Sequence, residues 1–147
     1  MKLTFAAAAT AALIAGPALS DAVTYTTSDS FDDVVFALES AIQGQGLVID
    51  SISHTGDMLE RTRAATGSDV VLFEKADVYS FCSASLSRKV MEADYMNVQF
   101  CPYHIFVFVR PEAPDETVVG YQTYPEGPMK EVEALLDDIA REAAGME

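Results

Sequence analysis

Basic side chains are scarce in this chain, which has 9 lysine and arginine residues against 23 aspartate and glutamate residues. A protein that binds nucleic acid or an anionic lipid surface by charge needs the opposite balance, so neither is expected as a partner. The acidic residues are spread along the sequence rather than clustered, which is typical of a solubilising surface.

The common catalytic and ligand-binding motifs are also missing. The sequence has no G-x-S-x-G nucleophile elbow, no glycine-rich phosphate loop, no H-E-x-x-H zinc motif and no DNA-reading module. The paired acids Asp32 with Asp33 and Asp137 with Asp138 are predicted to lie on outer helix faces, where carboxylates serve solubility. These patterns predict no cofactor and no metal, and they leave cysteine and histidine as the residues most able to do chemistry.

The first twenty residues have the features of a secretory signal peptide. Lys2 precedes an alanine-rich apolar run, and the small residues Ala18 and Ser20 occupy the −3 and −1 positions of a predicted cut. The run is shorter than the roughly 20 residues of a spanning helix, and no later segment resembles one. We expect residues 1–20 to be the signal, with a retained anchor as the alternative, and the protein to be periplasmic or secreted. Removal of Lys2 would change the formal charge from −14 to −15.

Hydrophobic periodicity predicts strands and helices in alternation over the rest of the chain. A proline at position 128 suits the first turn of the last helix. The segment 69–83 has β character in both halves, with a turn predicted near residues 74–77. The predicted strands are 22–27, 47–54, the two halves of 69–83, 103–110 and 117–124, and the predicted helices are 30–46, 57–67 capped by Thr55, 84–94 and 128–143.

This order predicts one α+β domain over residues 21–147. The late hairpin formed by the last two strands favours a mixed or mostly antiparallel sheet, with helices packed on one face. The strand 103–110 is apolar on both sides, with Phe106 and Phe108 opposite Ile105, Val107 and Val109. A sheet face left over after core packing could bind a small apolar ligand or a partner chain.

The sequence contains two cysteines, Cys82 and Cys101. An exported protein with an even cysteine count favours a structural disulfide, which would stabilise the fold by roughly 3 kcal/mol for a loop of this size. Cys82 also precedes a predicted helix, whose N-terminal partial charge would stabilise a thiolate. A redox or sulfur-carrying pair, with Cys101 resolving a mixed disulfide, is therefore a second hypothesis. Two separate buried thiols are a third.

A metal site is the weakest of the alternatives. Cys82, Cys101 and His104, with His54, form a valid zinc set by residue type, but their spacing is unlike that of compact structural zinc sites. Each histidine is more simply interpreted as an ordinary residue of a strand or strand end.

Four segments of the chain resemble the domain of unknown function 302 family. They are "SFDDVVFALESAIQGQGL", "IDSISHT", "YSFCSASLSRKVMEAD" and "VQFCPYHIFVF". The resemblance implies an α+β domain, often a homodimer, with Cys82 and Cys101 on the family's cysteine positions and His54 on its histidine position. Some members are associated with sulfur or redox metabolism, which implies a redox or sulfur-carrier partner. This sequence has Ser83 and Ala84 where the family often has Asn-Pro, and Pro102 where it has asparagine.

The leading hypothesis is therefore an exported domain with a thiol-based redox or sulfur-binding site at Cys82 and Cys101, with His54 or His104 nearby. The alternative is a non-catalytic module that binds a ligand or partner and uses the disulfide only for stability.

Overall fold

The structure is a computed structural model that describes residues 21–146. The predicted signal peptide, residues 1–20, lies outside the described residues. The strands are β1 (Ala22–Thr27), β2 (Val48–Ser53), β3 (Lys75–Cys82), β4 (Tyr103–Arg110) and β5 (Ala113–Gln122). The helices are α1 (Phe31–Gly44), α2 (Thr55–Thr62), α3 (Ala84–Ala93) and α4 (Met129–Ala143), with short 3₁₀ turns at Ala64–Thr66 and Tyr95–Phe100.

The described strands form one five-stranded sheet in the order β1-β5-β4-β3-β2. Every neighbouring pair is antiparallel. The predicted α+β class with a mostly antiparallel sheet is confirmed. Helices α1, α3 and α4 pack on one face as predicted, whereas the short α2 lies against the other. Strands β2 to β5 are neighbours in chain order, and β1 pairs with β5. The first and last strands of the domain therefore lie side by side.

One face of the sheet, here called the core face, carries the hydrophobic core. Strand side chains alternate between the two faces, and β4 places Ile105, Val107 and Val109 on the core face, where all three are buried. Helices α1 and α4 contact this face and each other, and α3 contributes Val90 to the same cluster. Burying apolar side chains here supplies most of the stabilising free energy of such a domain.

The opposite face of the sheet, here called the second face, is only partly covered. The first turn of α2 lies against β3, where Gly56 packs so closely on Ala76 that an added Cβ would lie 2.7 Å from the Ala76 backbone nitrogen. The Phe73 and Phe108 rings are 5.5 Å apart, and Phe108 stacks on Phe106. A single short helix and one loop therefore shield one end of the second face.

The predicted strand in the first half of segment 69–83 is wrong. Strand β3 begins at Lys75, and Val70, Val71 and Leu72 lie in irregular, exposed chain. Both edges of β3 are already paired, with β2 and β4, so these β-favouring residues have no adjacent free edge. Propensity alone does not form a strand without a partner.

Two smaller predictions also differ from the structure. Helix α2 begins at Thr55 itself, with His54 before it and no side-chain cap. Strand β5 begins at Ala113, four residues before its predicted start, because β4 and β5 are joined by a tight turn that leaves Pro111 and Glu112 between them. Within residues 21–146, no helix combines the length and hydrophobicity needed to cross a bilayer.

Candidate functional site

Cys82 and Cys101 form a disulfide bond, with their Cα atoms 6.5 Å apart. The sheet register explains why they meet. Phe81 pairs with Tyr103, so the residues just beyond this pair converge where β3 ends and β4 begins. The bridge therefore closes the connection that contains α3, and the two residues that the sequence predicts as a pair are joined.

Cys82 lies at the start of a helix, as predicted. Ser83 is the N-cap of α3, and its hydroxyl accepts a hydrogen bond of 3.4 Å from the Leu86 amide. Cys82 directly precedes that cap, next to the partial positive charge of a ten-residue helix. Both cysteines are partly rather than fully buried, so a reductant could approach the bond. A thiolate at Cys82 would be stabilised in this position.

His104 lies on the same side of the sheet as Cys82. It pairs with Ser80, two residues before Cys82 on β3, and alternation places these three side chains on the second face. Residues of a diagonal pair of this kind are about 7–8 Å apart, and their Cβ atoms are somewhat closer. Burial lowers the pKa of the His104 imidazole, which favours its neutral form. The register therefore places His104 near Cys82, and its part in a site stays a prediction.

His54 lies at the other end of the sheet. Cys82 pairs with Val48 at the start of β2, whereas His54 follows the last residue of β2, about 20 Å further along an extended chain. Its Nδ1 lies 2.9 Å from the Asp77 carboxylate oxygen. That hydrogen bond and the Asp77 charge raise the pKa of His54, whose side chain is 61% exposed. The structure therefore does not bring His54 to the disulfide.

The metal alternative has no support from the side-chain arrangement. Within residues 21–146, no three or more histidine, cysteine, aspartate and glutamate side chains are grouped so that they could hold a metal ion. The sulfur atoms of both cysteines are already used in the bond to each other.

A hydrogen-bonded group of one carboxylate and two tyrosines, at the opposite edge of the sheet, was not predicted. Asp137 of α4 accepts hydrogen bonds from the hydroxyls of Tyr121, at 2.7 Å, and Tyr25. Burial and these hydrogen bonds raise the pKa of both tyrosines. The predicted outer-face position is therefore wrong for Asp137, which is half-buried, although Asp138 is exposed. The signal that could have revealed it is the pair of tyrosines on β1 and β5, whose hydroxyls need an acceptor.

The second face contains an apolar hollow of about 330 Å³ near α2. Its walls are mainly aromatic and aliphatic, and they include Phe73, Ala76, Val78, Phe106 and Phe108. We call it the phenylalanine hollow. The predicted leftover apolar surface around Phe106 and Phe108 therefore corresponds to a concave feature, and Phe73 of the irregular segment before β3 forms part of its wall.

Comparison with known proteins identifies the family. Residues 23–145 match the family described as Domain of unknown function DUF302. The chain belongs to the DUF302 family. The crystal structure of an uncharacterized conserved DUF302 protein from Bacillus stearothermophilus has the same fold, with a TM-score of 0.60 and 15% sequence identity. The alignment covers 87% of this chain and 95% of that chain. No curated protein matches the sequence.

Proposed function

We propose that this DUF302 chain is a thiol–disulfide exchange protein whose reactive group is the Cys82–Cys101 pair. The observation that carries the proposal is the position of the bond, which joins a cysteine at the start of α3 to a neighbouring strand end. The reaction is exchange with a dithiol: the protein disulfide accepts two electrons and two protons and becomes two thiols, while the partner dithiol is oxidised to a disulfide.

The two cysteines would have different roles. In the reverse direction, in which the reduced protein reduces a partner disulfide, Cys82 is the nucleophile, because the N-terminus of α3 favours its thiolate. Its sulfur attacks the partner's disulfide, forms a mixed disulfide and releases one partner thiolate. The Cys101 thiol then attacks Cys82, which restores the intramolecular bond and releases the second partner thiolate. His104 lies on the same face as Cys82, and as a neutral imidazole it would accept the proton that the reduced pair releases.

The proposal includes the cellular setting of the protein. A disulfide persists in an oxidising compartment, so we propose that the protein is periplasmic or secreted after removal of residues 1–20. The partner would be a redox or sulfur-carrier protein or a small dithiol. A homodimer remains an expectation from the family resemblance. Intact mass spectrometry of the exported chain and sedimentation velocity would test the cut before Asp21 and the assembly state.

The decisive experiment is a redox titration of the mature protein in dithiothreitol buffers, with the thiol state read by alkylation and mass. We expect a midpoint above about −300 mV and exchange within minutes, because structural disulfides in secreted proteins usually have lower potentials. A midpoint clearly below that value, with exchange only after denaturation, would overturn the proposal. The Cys101→Ser variant should trap a mixed disulfide at Cys82, and the Cys82→Ser variant should not.

A second candidate function is ligand binding in the phenylalanine hollow. Its lining is almost wholly apolar, and the chain is strongly acidic, so the ligand would be a neutral aromatic or alicyclic molecule. The uncharged fluorophore N-phenyl-1-naphthylamine is a suitable probe. Binding should weaken at least fivefold in Phe108→Ala and stay unchanged in Phe36→Ala, because Phe36 is an exposed phenylalanine on α1. The double variant Cys82→Ser with Cys101→Ser should keep this binding, which separates the two functions.

A further inference from the structure

The buried hydroxyl of Ser87 lies between the disulfide and a buried tyrosine. Ser87 is the fourth residue of α3 and points toward the sheet, where its Oγ is 4.0 Å from Cys101 Sγ. The same Oγ is 2.9 Å from the hydroxyl oxygen of Tyr103, which has no exposed surface. The serine therefore connects the sulfur to a second hydroxyl inside the protein.

The direction of these hydrogen bonds follows from the needs of the tyrosine. Among the described residues, Ser87 provides the one polar partner of the Tyr103 hydroxyl. A buried phenol hydrogen is costly to leave without an acceptor, so Tyr103 donates to Ser87 Oγ. The Ser87 hydrogen is then free to point at Cys101 Sγ, the other polar atom within reach.

This donor matters more after reduction than before it. A disulfide sulfur is a poor acceptor, and a separation of 4.0 Å gives a weak interaction at most. In the reduced protein the Cys101 sulfur is free to move toward the serine, and when this thiol loses its proton during exchange the thiolate is a much stronger acceptor because it is charged. The same hydroxyl therefore stabilises the reduced pair more than the bonded pair.

We propose that Ser87 is a positioning residue for the thiol pair, which acts by hydrogen bonding to the Cys101 sulfur in the reduced protein. Tyr103 orients the serine by occupying its acceptor side. The inference rests on the proposed thiol–disulfide function and assigns to it a residue that no sequence pattern indicates. Its consequence is a disulfide that is more easily reduced than the same bond without a donor.

The alternative is that Ser87 only satisfies the Tyr103 hydroxyl. In that case Ser87→Ala would leave the phenol without its acceptor in both redox forms. Both forms would lose similar stability, and the equilibrium between them would not change. Urea unfolding of the oxidised and reduced proteins, measured separately, therefore distinguishes packing from an effect on the sulfur.

The test is the equilibrium constant between the protein and dithiothreitol at pH 7 for the wild type and variants. Ser87→Ala should favour the disulfide about fivefold, the size expected for one hydrogen bond, which is about 20 mV for a two-electron couple. Ser87→Thr keeps the hydroxyl and should restore the wild-type value. Ser40→Ala is the matched control, because the Ser40 hydroxyl bonds only the Phe36 carbonyl of its own helix.

An unchanged constant in Ser87→Ala would overturn the inference. If Ser87→Ala does not fold, Tyr103→Phe decides, because it removes only the group that orients the serine. It should favour the disulfide about twofold, and no change would again count against the proposal. The proposed function fails separately, on the absolute potential and exchange rate of the wild type, whatever the difference between variants.

Discussion

The two faces of the sheet have the same strands and very different surroundings. On β4, Ile105 on the core face is fully buried beneath the helices, whereas its neighbour His104 on the second face is exposed. The core face carries the hydrophobic core that stabilises the fold. The second face carries Cys82, His104 and the phenylalanine hollow. A domain of this size can therefore be stabilised mainly through one face of its sheet, and the other face is then available for chemistry or binding.

The most direct test of this comparison is to substitute Ile105 and His104, which are neighbours on β4. Ile105→Ala should lower the free energy of unfolding by about 3–4 kcal/mol, because it leaves a cavity in a closely packed core. His104→Ala should change it by less than about 0.5 kcal/mol. Urea denaturation of both oxidised variants measures the two values. Similar losses for the two substitutions would show that the second face is also part of the core.

The next largest loss of stability is expected when the Asp137 carboxylate is removed. Asp137→Ala should cost about 2–3 kcal/mol, because the Tyr121 hydroxyl, which is buried, and the Tyr25 hydroxyl both lose their acceptor. Asp138→Ala changes the adjacent, exposed carboxylate and should cost less than about 0.5 kcal/mol. Thermal unfolding at neutral pH provides the comparison. Equal effects of the two substitutions would contradict the hydrogen-bonded role of Asp137.

Substitution of Gly120 tests how closely side chains pack on the second face. The Phe106 ring lies over this glycine, and an added Cβ would be 2.8 Å from the ring and would also collide with the Val23 carbonyl of β1. Gly120→Ala should therefore destabilise the fold by about 1–3 kcal/mol. Gly44→Ala, at the end of α1 with open space around it, should be neutral or slightly stabilising. The urea midpoint should fall clearly for Gly120→Ala and should not fall for Gly44→Ala, and an equal fall for both would contradict the close approach of the ring.

The histidines give the smallest effect, and it has opposite signs at the two positions. The raised pKa of His54 contributes stability that is present below the unfolded pKa of about 6.5 and is lost as pH rises through the folded value. The lowered pKa of His104 has the opposite effect on stability. Its contribution is present above about pH 6.5 and is lost as pH falls through the pKa of His104 in the folded protein. NMR titration should place the two values on either side of 6.5. Asp77→Asn should lower the pKa of His54 and leave that of His104 in place, and movement of both would contradict the separation of the two sites.

The sequence predicted correctly the helices and strands that have a clear hydrophobic pattern or a capping residue close by in the chain. The helix at α1 has its cap at Ser30 and an apolar stripe, and β4 was predicted with the bounds that the structure has. Segment 69–74 could not be predicted in this way, because its β propensity is overridden by the lack of a free sheet edge. That outcome depends on strand order, which no local pattern contains.

The candidate site was predictable in part for the same reason. A Cys82–Cys101 disulfide was one of the sequence alternatives, because two strand ends that flank one helix meet when the strands are neighbours, as β3 and β4 are. The separation of His54 from that pair depends on the antiparallel pairing of β2 and β3, which reverses the chain direction. The role of Ser87 depends on which side of α3 faces the sheet and on a tyrosine sixteen residues away. A contact of that kind becomes visible only in three dimensions.

The covalent loop around α3 has a consequence for how the protein tolerates damage. A proteolytic nick at any peptide bond between Ser83 and Phe100 would divide the backbone without releasing a fragment, because the Cys82–Cys101 bond holds the two pieces together. The exposed turn at Tyr95–Phe100, with Tyr95 and Val98 facing solvent, is the place within this loop where such a nick is most accessible. Only a reducing environment would then separate the pieces, so the integrity of a nicked molecule would depend on its surroundings.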